Sequence, residues 1–253
     1  MDKIEFIAIK NFPFVEPGDD LCQIIADTIS ENSLSLEDGD VIVIAQKIIS
    51  KSEDRYVNLN KVSPSNEALS LSKKLNKDPR FIQTILNESS EIISIEKNVI
   101  IVKHKLGFIN VNAGIDRSNI CQKTDQVLLL PNDPSYSSNK LHYSLSHKLK
   151  IDLSIVITDS MTRPYRSGVT NFALASSNIQ SLIDLSGEMD IYGNLLKKTE
   201  IAIADEIAAA SGLLMGQGSD MQPVILLKGF NKDKYEINNA IDLIVEKKDD
   251  LYR

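Results

Sequence analysis

Two stretches of the chain set a carboxylate among hydroxyl, amide and guanidinium groups directly after an apolar run. Gly114-Ile-Asp-Arg-Ser-Asn119 offers Asp116, and residues 157–168 offer Asp159 and Ser160 followed by Arg163 and Arg166. Mg²⁺ and Mn²⁺ take hard oxygen ligands, usually a few carboxylates completed by hydroxyls, amide oxygens, water and phosphate. Asp116, Asp159, Ser160 and Gln217 supply such a donor set. Arg163 and Arg166 lie three apart around Pro164, a spacing that lets both guanidinium groups converge on an anion, and Lys51 adds a further cation. Together they read as a metal–phosphate site, where loss of one donor to a transferring phosphoryl group costs about 3 kcal/mol of barrier. Taken singly, each residue is explained about as well by a turn cap or a surface ion pair, so the set carries the reading.

Other polar features weigh less. Gly216 and Gly218 flank Gln217 after a predicted helix, which permits close approach to a ligand but equally describes a helix C-cap. No Gly-x-x-x-x-Gly-Lys-Ser/Thr loop and no strand-linked Gly-x-Gly-x-x-Gly occurs, so neither a P-loop nor a Rossmann signature is present. Asp205 and Glu206 interrupt an Ala- and Ile-rich helix, either as ligand-facing groups or as its solvated edge. His104, His142 and His147 lack metal-binding spacing and are expected at the solvated surface.

These groups need elements to position them. A first strand over residues 4–9 is broken at Pro13 and Pro17, against which a nucleotide can lie, before an amphipathic helix near residues 20–30. A buried strand over residues 41–45 runs into a cationic loop with Gln46, Lys47 and Lys51. Ser63 is the expected cap of a helix reaching Leu75, and Asp78-Pro79 opens another. Residues 99–102 and 108–111 read as a hairpin that delivers Asp116 on a turn. A strand at 127–130 precedes a helix capped by Ser135 and extending to about Lys148. Asp159 ends the β-branched run 153–158, a helix is expected over 199–215, and a late strand over 223–227. Strands and helices do not alternate evenly, which predicts an α+β fold with a mixed sheet rather than a doubly wound one.

Composition narrows the class. The chain has 253 residues, 42% hydrophobic and 25% charged, an ordinary globular balance that can bury a core. A net charge of −7 argues against a general nucleic-acid binder. Cys22 and Cys121 form no CxxC pair, and charges near Met1 together with the lack of a long apolar run predict a soluble, cytoplasmic protein without a membrane segment.

Ala45-Gln-Lys-Ile-Ile-Ser-Lys51, Val111-Asn-Ala-Gly-Ile-Asp-Arg-Ser-Asn119, Ile157-Thr-Asp-Ser160 with Arg163-Pro-Tyr-Arg166, and Ala204-Asp-Glu-Ile-Ala208 with Leu214-Met-Gly-Gln-Gly218 resemble the coenzyme F420-0:γ-glutamyl ligase family. Asn11-Phe-Pro-Phe-Val15, Pro131-Asn-Asp-Pro134 and Asp190-Ile-Tyr-Gly193 extend the resemblance over nearly the whole chain, taken as one domain of up to two lobes without a clear boundary. The resemblance implies a two-lobed subunit in an intertwined homodimer, with the active site near the subunit junction. It implies a GTP-dependent ligase that joins L-glutamate to coenzyme F420-0 through an acyl phosphate, releasing GDP and phosphate, with Mg²⁺ or Mn²⁺ and with K⁺ as a helper. Carried over residue by residue, Asp116, Asp159, Ser160 and Gln217 match metal positions. Phe12, Pro13, Phe14, Val15, Gln46, Lys47, Lys51, Asn119, Met215, Gly216, Gln217, Gly218, Ser219, Asp220, Met221 and Gln222 match nucleotide-contacting segments, and Arg163, Arg166 and Lys51 would act on the transferring phosphoryl group.

The chain also departs from the family pattern. Ser160 stands where Thr is usual, Thr162 where Gly is usual, the segment 173–177 lacks common glycines, and Ser52-Glu-Asp-Arg55 alters a loop expected beside the nucleotide. A ligase for another phosphorylated or carboxylated acceptor, and a non-catalytic nucleotide-binding homologue, are the alternative readings.

Overall fold

The computed structural model describes residues 3–96, 98–120, 125–231 and 236–251, which leaves Cys121 outside the described residues. β1 (Glu5–Ala8) passes the Pro13 and Pro17 breaks into α1 (Leu21–Glu31), whose cap Asp20 accepts from the Gln23 N–H. β2 (Val41–Ala45) leads without a gap into α2 (Gln46–Ser52). The cationic loop expected here is therefore a short helix, because Ile48 and Ile49 dock into the core and wind the segment onto it.

Next come β3 (Tyr56–Asn58), α3 (Asn66–Leu75), α4 (Pro79–Glu88), β4 (Ser89–Glu96), β5 (Val99–His104), β6 (Ile109–Val111) and β7 (Gln126–Leu128). They enclose a hydrophobic core of their own, built on Phe81, Ile82, Ile85, Ile100, Val102 and Val127. The expected hairpin exists as β5–β6, and β4, hidden in the sequence by its mixed polar pattern, pairs along β5. Ser65, not Ser63, caps α3 by accepting from the Ala68 N–H.

α5 (Pro134–Leu149), β8 (Ser154–Arg163), β9 (Arg166–Ser177), β10 (Ile183–Asp184), β11 (Glu200–Ile201), α6 (Ile203–Met215) and β12 (Val224–Lys228) complete the chain. Asp133 rather than Ser135 caps α5, because Pro134 fits the first helical position, where its missing N–H costs nothing. α6 starts at Ile203 rather than near Thr199, since residues 200–201 pair with β10.

The main sheet has the order β1-β12-β2-β8-β9, with β2 and β8 parallel and the other pairs antiparallel, so the fold is α+β with a mixed sheet as expected. Both faces are covered, which explains the unbroken apolar runs of β2, β8 and β12. Strand alternation splits each run: Ile42, Ile44, Ile155, Ile157, Val224 and Leu226 meet α1 and α5, while Val41, Val43, Val156, Ile225 and Leu227 face the α6 side. Each such side chain contributes roughly 1.5–3 kcal/mol on burial.

Arg55 ties the two cores together. Its Nε donates to the Leu130 carbonyl at 2.8 Å, its Nη2 pairs with Glu88 at 3.1 Å, and its carbonyl accepts from Leu129. His104, expected at the surface, is instead buried beneath this ion pair and stacked on Phe108. Burial first, then the Arg55 and Lys105 charges, push its pKa down to about 4, so it is neutral. His142 is half-buried against the Leu153 carbonyl, and His147 is exposed as expected. Among the described residues no helix is long and apolar enough to cross a membrane.

Candidate active site

β2 stops at Ala45, which lies opposite Thr158 of the parallel β8, and β8 runs on beyond it. Asp159 is thus the first residue past the carboxyl end of the parallel pair, the edge at which α/β sheets present ligands. Asp116 arrives from the other core. Its backbone N–H and C=O both pair with Leu128, at 2.9 and 3.0 Å, after a tight turn in which Ala113 and Gly114 adopt positive φ of 56° and 64°. A Cβ at Gly114 would stand 3.0 Å from Leu130 in a backbone region that L side chains disfavour, so glycine there fixes how the Asp116 arm enters.

The two carboxylates share one electrostatic problem. Gln46 Nε2 donates to Asp116 Oδ2 at 2.8 Å, with its amide oriented by Ser50, whose hydroxyl donates to Gln46 Oε1 at 2.8 Å. Lys47 Nζ lies 3.4 Å from Asp116 Oδ1 and also donates to the Ser118 carbonyl at 3.2 Å. Burial nevertheless raises Asp116 above the ordinary carboxylate range, with Lys47 and Gln46 pulling the other way. Burial, then the neighbouring Asp116, raises Asp159 to about 7. Two desolvated acids resist ionising together, and a divalent cation between them removes that resistance. Among the described residues no three His, Cys, Asp or Glu side chains gather as a metal cluster, so a cation here would complete its shell with neutral oxygens and ligand phosphates. That donor set fits Mg²⁺ or Mn²⁺ and not thiolate- or imidazole-bound zinc.

The pair opens onto a cavity of about 1360 Å³, larger than the roughly 300–1,000 Å³ that one small ligand needs. Its wall gathers Phe12, Pro13, Phe14 and Val15, then Gln46, Lys47 and Lys51, then Ser118 and Asn119, then Ser160, and finally Met215 to Ser219 with Met221 and Gln222. These segments are tied across the mouth by Asn119 Nδ2, which donates to the Gly218 carbonyl at 2.8 Å. Gly216, at φ 67°, ends α6, and a Cβ there would run into the Asp220 carboxylate. Asp220 itself faces a neighbouring cavity of about 330 Å³ rather than the main one.

Arg163 and Arg166 stand elsewhere. They pair with each other in register at the tip of the β8–β9 hairpin, outside the cavity wall, with exposed Tyr165 between them in the turn. Asp205 and Glu206 do not line the cavity either. Asp205 Oδ1 accepts from the Ala173 N–H at 2.8 Å where β9 bulges opposite Thr158, burial raises its pKa, and Glu206 is exposed. Asp205 is therefore a clamp between α6 and β9, and Glu206 is the solvated edge.

Sequence reasoning passed over Tyr56, Gln126 and Asn171, which also line the cavity. Asn171 alone had a visible signal, as a polar residue at the start of an apolar strand half. Of the departures from the family pattern, Ser160 lines the wall, whereas Thr162 pairs with Val169 in the exposed hairpin and segment 173–177 lies in β9 away from it. Of Ser52-Glu-Asp-Arg55, only Asp54 reaches the cavity.

The family profile described as F420-0:Gamma-glutamyl ligase matches residues 10–229. The coenzyme F420:L-glutamate ligase of Methanothermobacter thermautotrophicus is 38% identical over 229 residues, 90% of this chain and 89% of that protein. The protein of the same name from Methanocaldococcus jannaschii is 37% identical over 253 residues, 99% of this chain and 97% of its own length.

Proposed function

Because the chain belongs to the F420-0:γ-glutamyl ligase family, we propose that it forms an amide between L-glutamate and coenzyme F420-0 at the expense of GTP. The observation that carries this reading is the half-buried Asp116–Asp159 pair at the edge of a cavity with room for more than one ligand. A carboxylate is a poor electrophile, so its oxygen first attacks the γ-phosphorus, with GDP leaving. The glutamate amine then attacks the acyl phosphate carbon, and phosphate departs with the carboxylate's former oxygen.

Asp116, Asp159, Ser160 and Gln217 would hold Mg²⁺ or Mn²⁺, with K⁺ as a helper. When bound, the divalent ion would neutralise phosphate charge and align the γ-phosphoryl group. Lys47 and Lys51 place cations beside the phosphates, and Phe12 to Val15 with Met215 to Ser219, Met221 and Gln222 form the walls along which the nucleotide lies. Asp205 and Glu206 are not positioned to take the amine's proton, which in this reading leaves through water or another cavity group.

A homodimer belongs to the same reading. Tyr165, Val169, Ile191, Tyr192 and Leu213 are exposed apolar side chains that a second copy would cover. The role expected of Arg163 and Arg166 in phosphoryl transfer then belongs to the dimer, since within one chain they stand outside the cavity. The alternative of a different acceptor rests on the glycine-poor segment after Thr170, of which only Asn171 lines the wall.

Incubation of purified protein with GTP, Mn²⁺, glutamate and F420-0 tests the proposal. It expects GDP release and a product heavier by one glutamyl residue, and oxygen-18 in the acceptor carboxylate should appear in phosphate. Product without GDP, or phosphate without the label, would contradict the nucleotide or the acyl phosphate respectively.

A further inference from the structure

β9 brings Asn171 to the cavity directly opposite Ser160. The side chain is buried, and both ends of its amide are engaged. Oδ1 accepts from Gln217 Nε2 at 3.1 Å, while Nδ2 donates to Met215 Sδ at 3.7 Å. A thioether sulfur accepts but has no proton to give, so Met215 fixes which end of the Asn171 amide faces Gln217. α6 closes the remaining space: a Cβ on Gly212 would stand 3.0–3.2 Å from the Asn171 amide atoms.

We infer that Asn171 is a positioning residue that sets the polarity of the Gln217 amide, binding its N–H end and leaving Oε1 for a divalent cation beside Asp116 and Asp159. This rests on the reading of Gln217 as a ligand. Turned the other way, the amide would present N–H protons to the cation and could not ligate it. Gln217 is exposed in the cavity and follows the φ 67° hinge at Gly216, so its own backbone does not determine that choice. Partners behind a ligand are what orient it and what its affinity depends on. The Met215–Asn171–Gln217 chain supplies that partner, and Gly212 gives it room.

Mn²⁺ binding to nucleotide-free protein, read from the resonance of the free ion, tests the inference without reference to turnover. Gln217→Leu and Asn171→Leu should each weaken binding by about tenfold or more, and the double variant should be no weaker than either, since the two residues act as one unit. Asn171→Asp keeps an acceptor for Gln217 and should not weaken Mn²⁺ binding. Gly212→Ala should weaken binding through displaced Asn171, while the gain in helix propensity from glycine to alanine offsets much of the packing cost and limits the fall in the metal-free melting temperature. That split separates positioning from folding, and with Asn171→Asp it carries the test if Asn171→Leu does not fold. Unchanged binding in Asn171→Leu or Gly212→Ala, or an additive double variant, with Gln217→Leu still impaired, overturns the positioning role alone. Wild-type binding in Gln217→Leu overturns both the ligand reading and the inference built on it.

Discussion

Asp159 and Arg163 are four residues apart on one strand and both half-buried, yet they meet different neighbours. Asp159 stands at the sheet edge beside Asp116, its pKa raised to about 7, whereas Arg163, its Nη1 buried and without a hydrogen-bond partner among the described residues, belongs to a projecting hairpin whose turn residue Tyr165 is fully exposed. A strand advances roughly 3.3 Å per residue, so their Cα atoms lie about 13 Å apart. Proximity in sequence implied a shared site, and within one chain only the carboxylate lines the cavity. Arg163 and Arg166, expected to converge on an anion, are cross-strand partners at the hairpin tip, outside the cavity wall of the single chain. The cations beside the carboxylate pair are Lys47 and Lys51, from a helix more than a hundred residues before Asp159 in sequence.

The contrast is broken most directly at the carboxylate. Asp159→Asn should lower GTP-dependent glutamate addition by about a thousandfold, the upper range for removing one group that stabilises transition-state charge; loss of less than tenfold would move the centre elsewhere. Lys47→Met should lower the rate by about tenfold near pH 6.5 and less at pH 8.5. Without Nζ at 3.4 Å, Asp116 ionises only at higher pH, so the rate profile should shift toward alkali; an unshifted profile would separate Lys47 from the pair.

Stability should report the same burial. Asp159 has a folded pKa of about 7, above its unfolded value of about 3.9, so the unfolded state releases its proton first and stability falls as pH rises between those values. His104 acts oppositely: with its folded pKa at about 4, it removes stability as pH falls below about 6.5. Metal-free wild-type protein should therefore melt several degrees lower relative to Asp159→Asn at pH 8 than at pH 5. Equal differences at both values would mean that Asp159 is not desolvated. Smallest of all, Arg166→Ala should leave Mn²⁺ affinity within about twofold, since its side chain lies outside the cavity.

Much of this arrangement was legible from the chain. The β-branched run before Asp159 and the uninterrupted apolar runs of β2 and β12 announced a sheet buried on both faces, because strand alternation leaves no polar side when both faces are covered. The oxygen donors were legible for a similar reason: Asp116, Asp159, Ser160 and Gln217 all reached one cavity. Three features were not. α2 reads as a polar segment because its seven residues hold too few turns for helical spacing to stand out. β4 alternates imperfectly because its pairing with β5 shifts register twice. His104 carries no mark of burial in its own sequence, since Arg55 and Glu88 reach it from distant segments.

The central claim is that one carboxylate from each of two separately packed cores grips a single divalent ion at the end of the β2–β8 pair. Anomalous diffraction at the manganese edge, from crystals grown with Mn²⁺ and GTP, tests it most directly. The account predicts one peak in contact with both Asp116 and Asp159, with phosphate oxygens completing the shell. A peak ligated by neither carboxylate, or by residues of the hairpin tip, would contradict it.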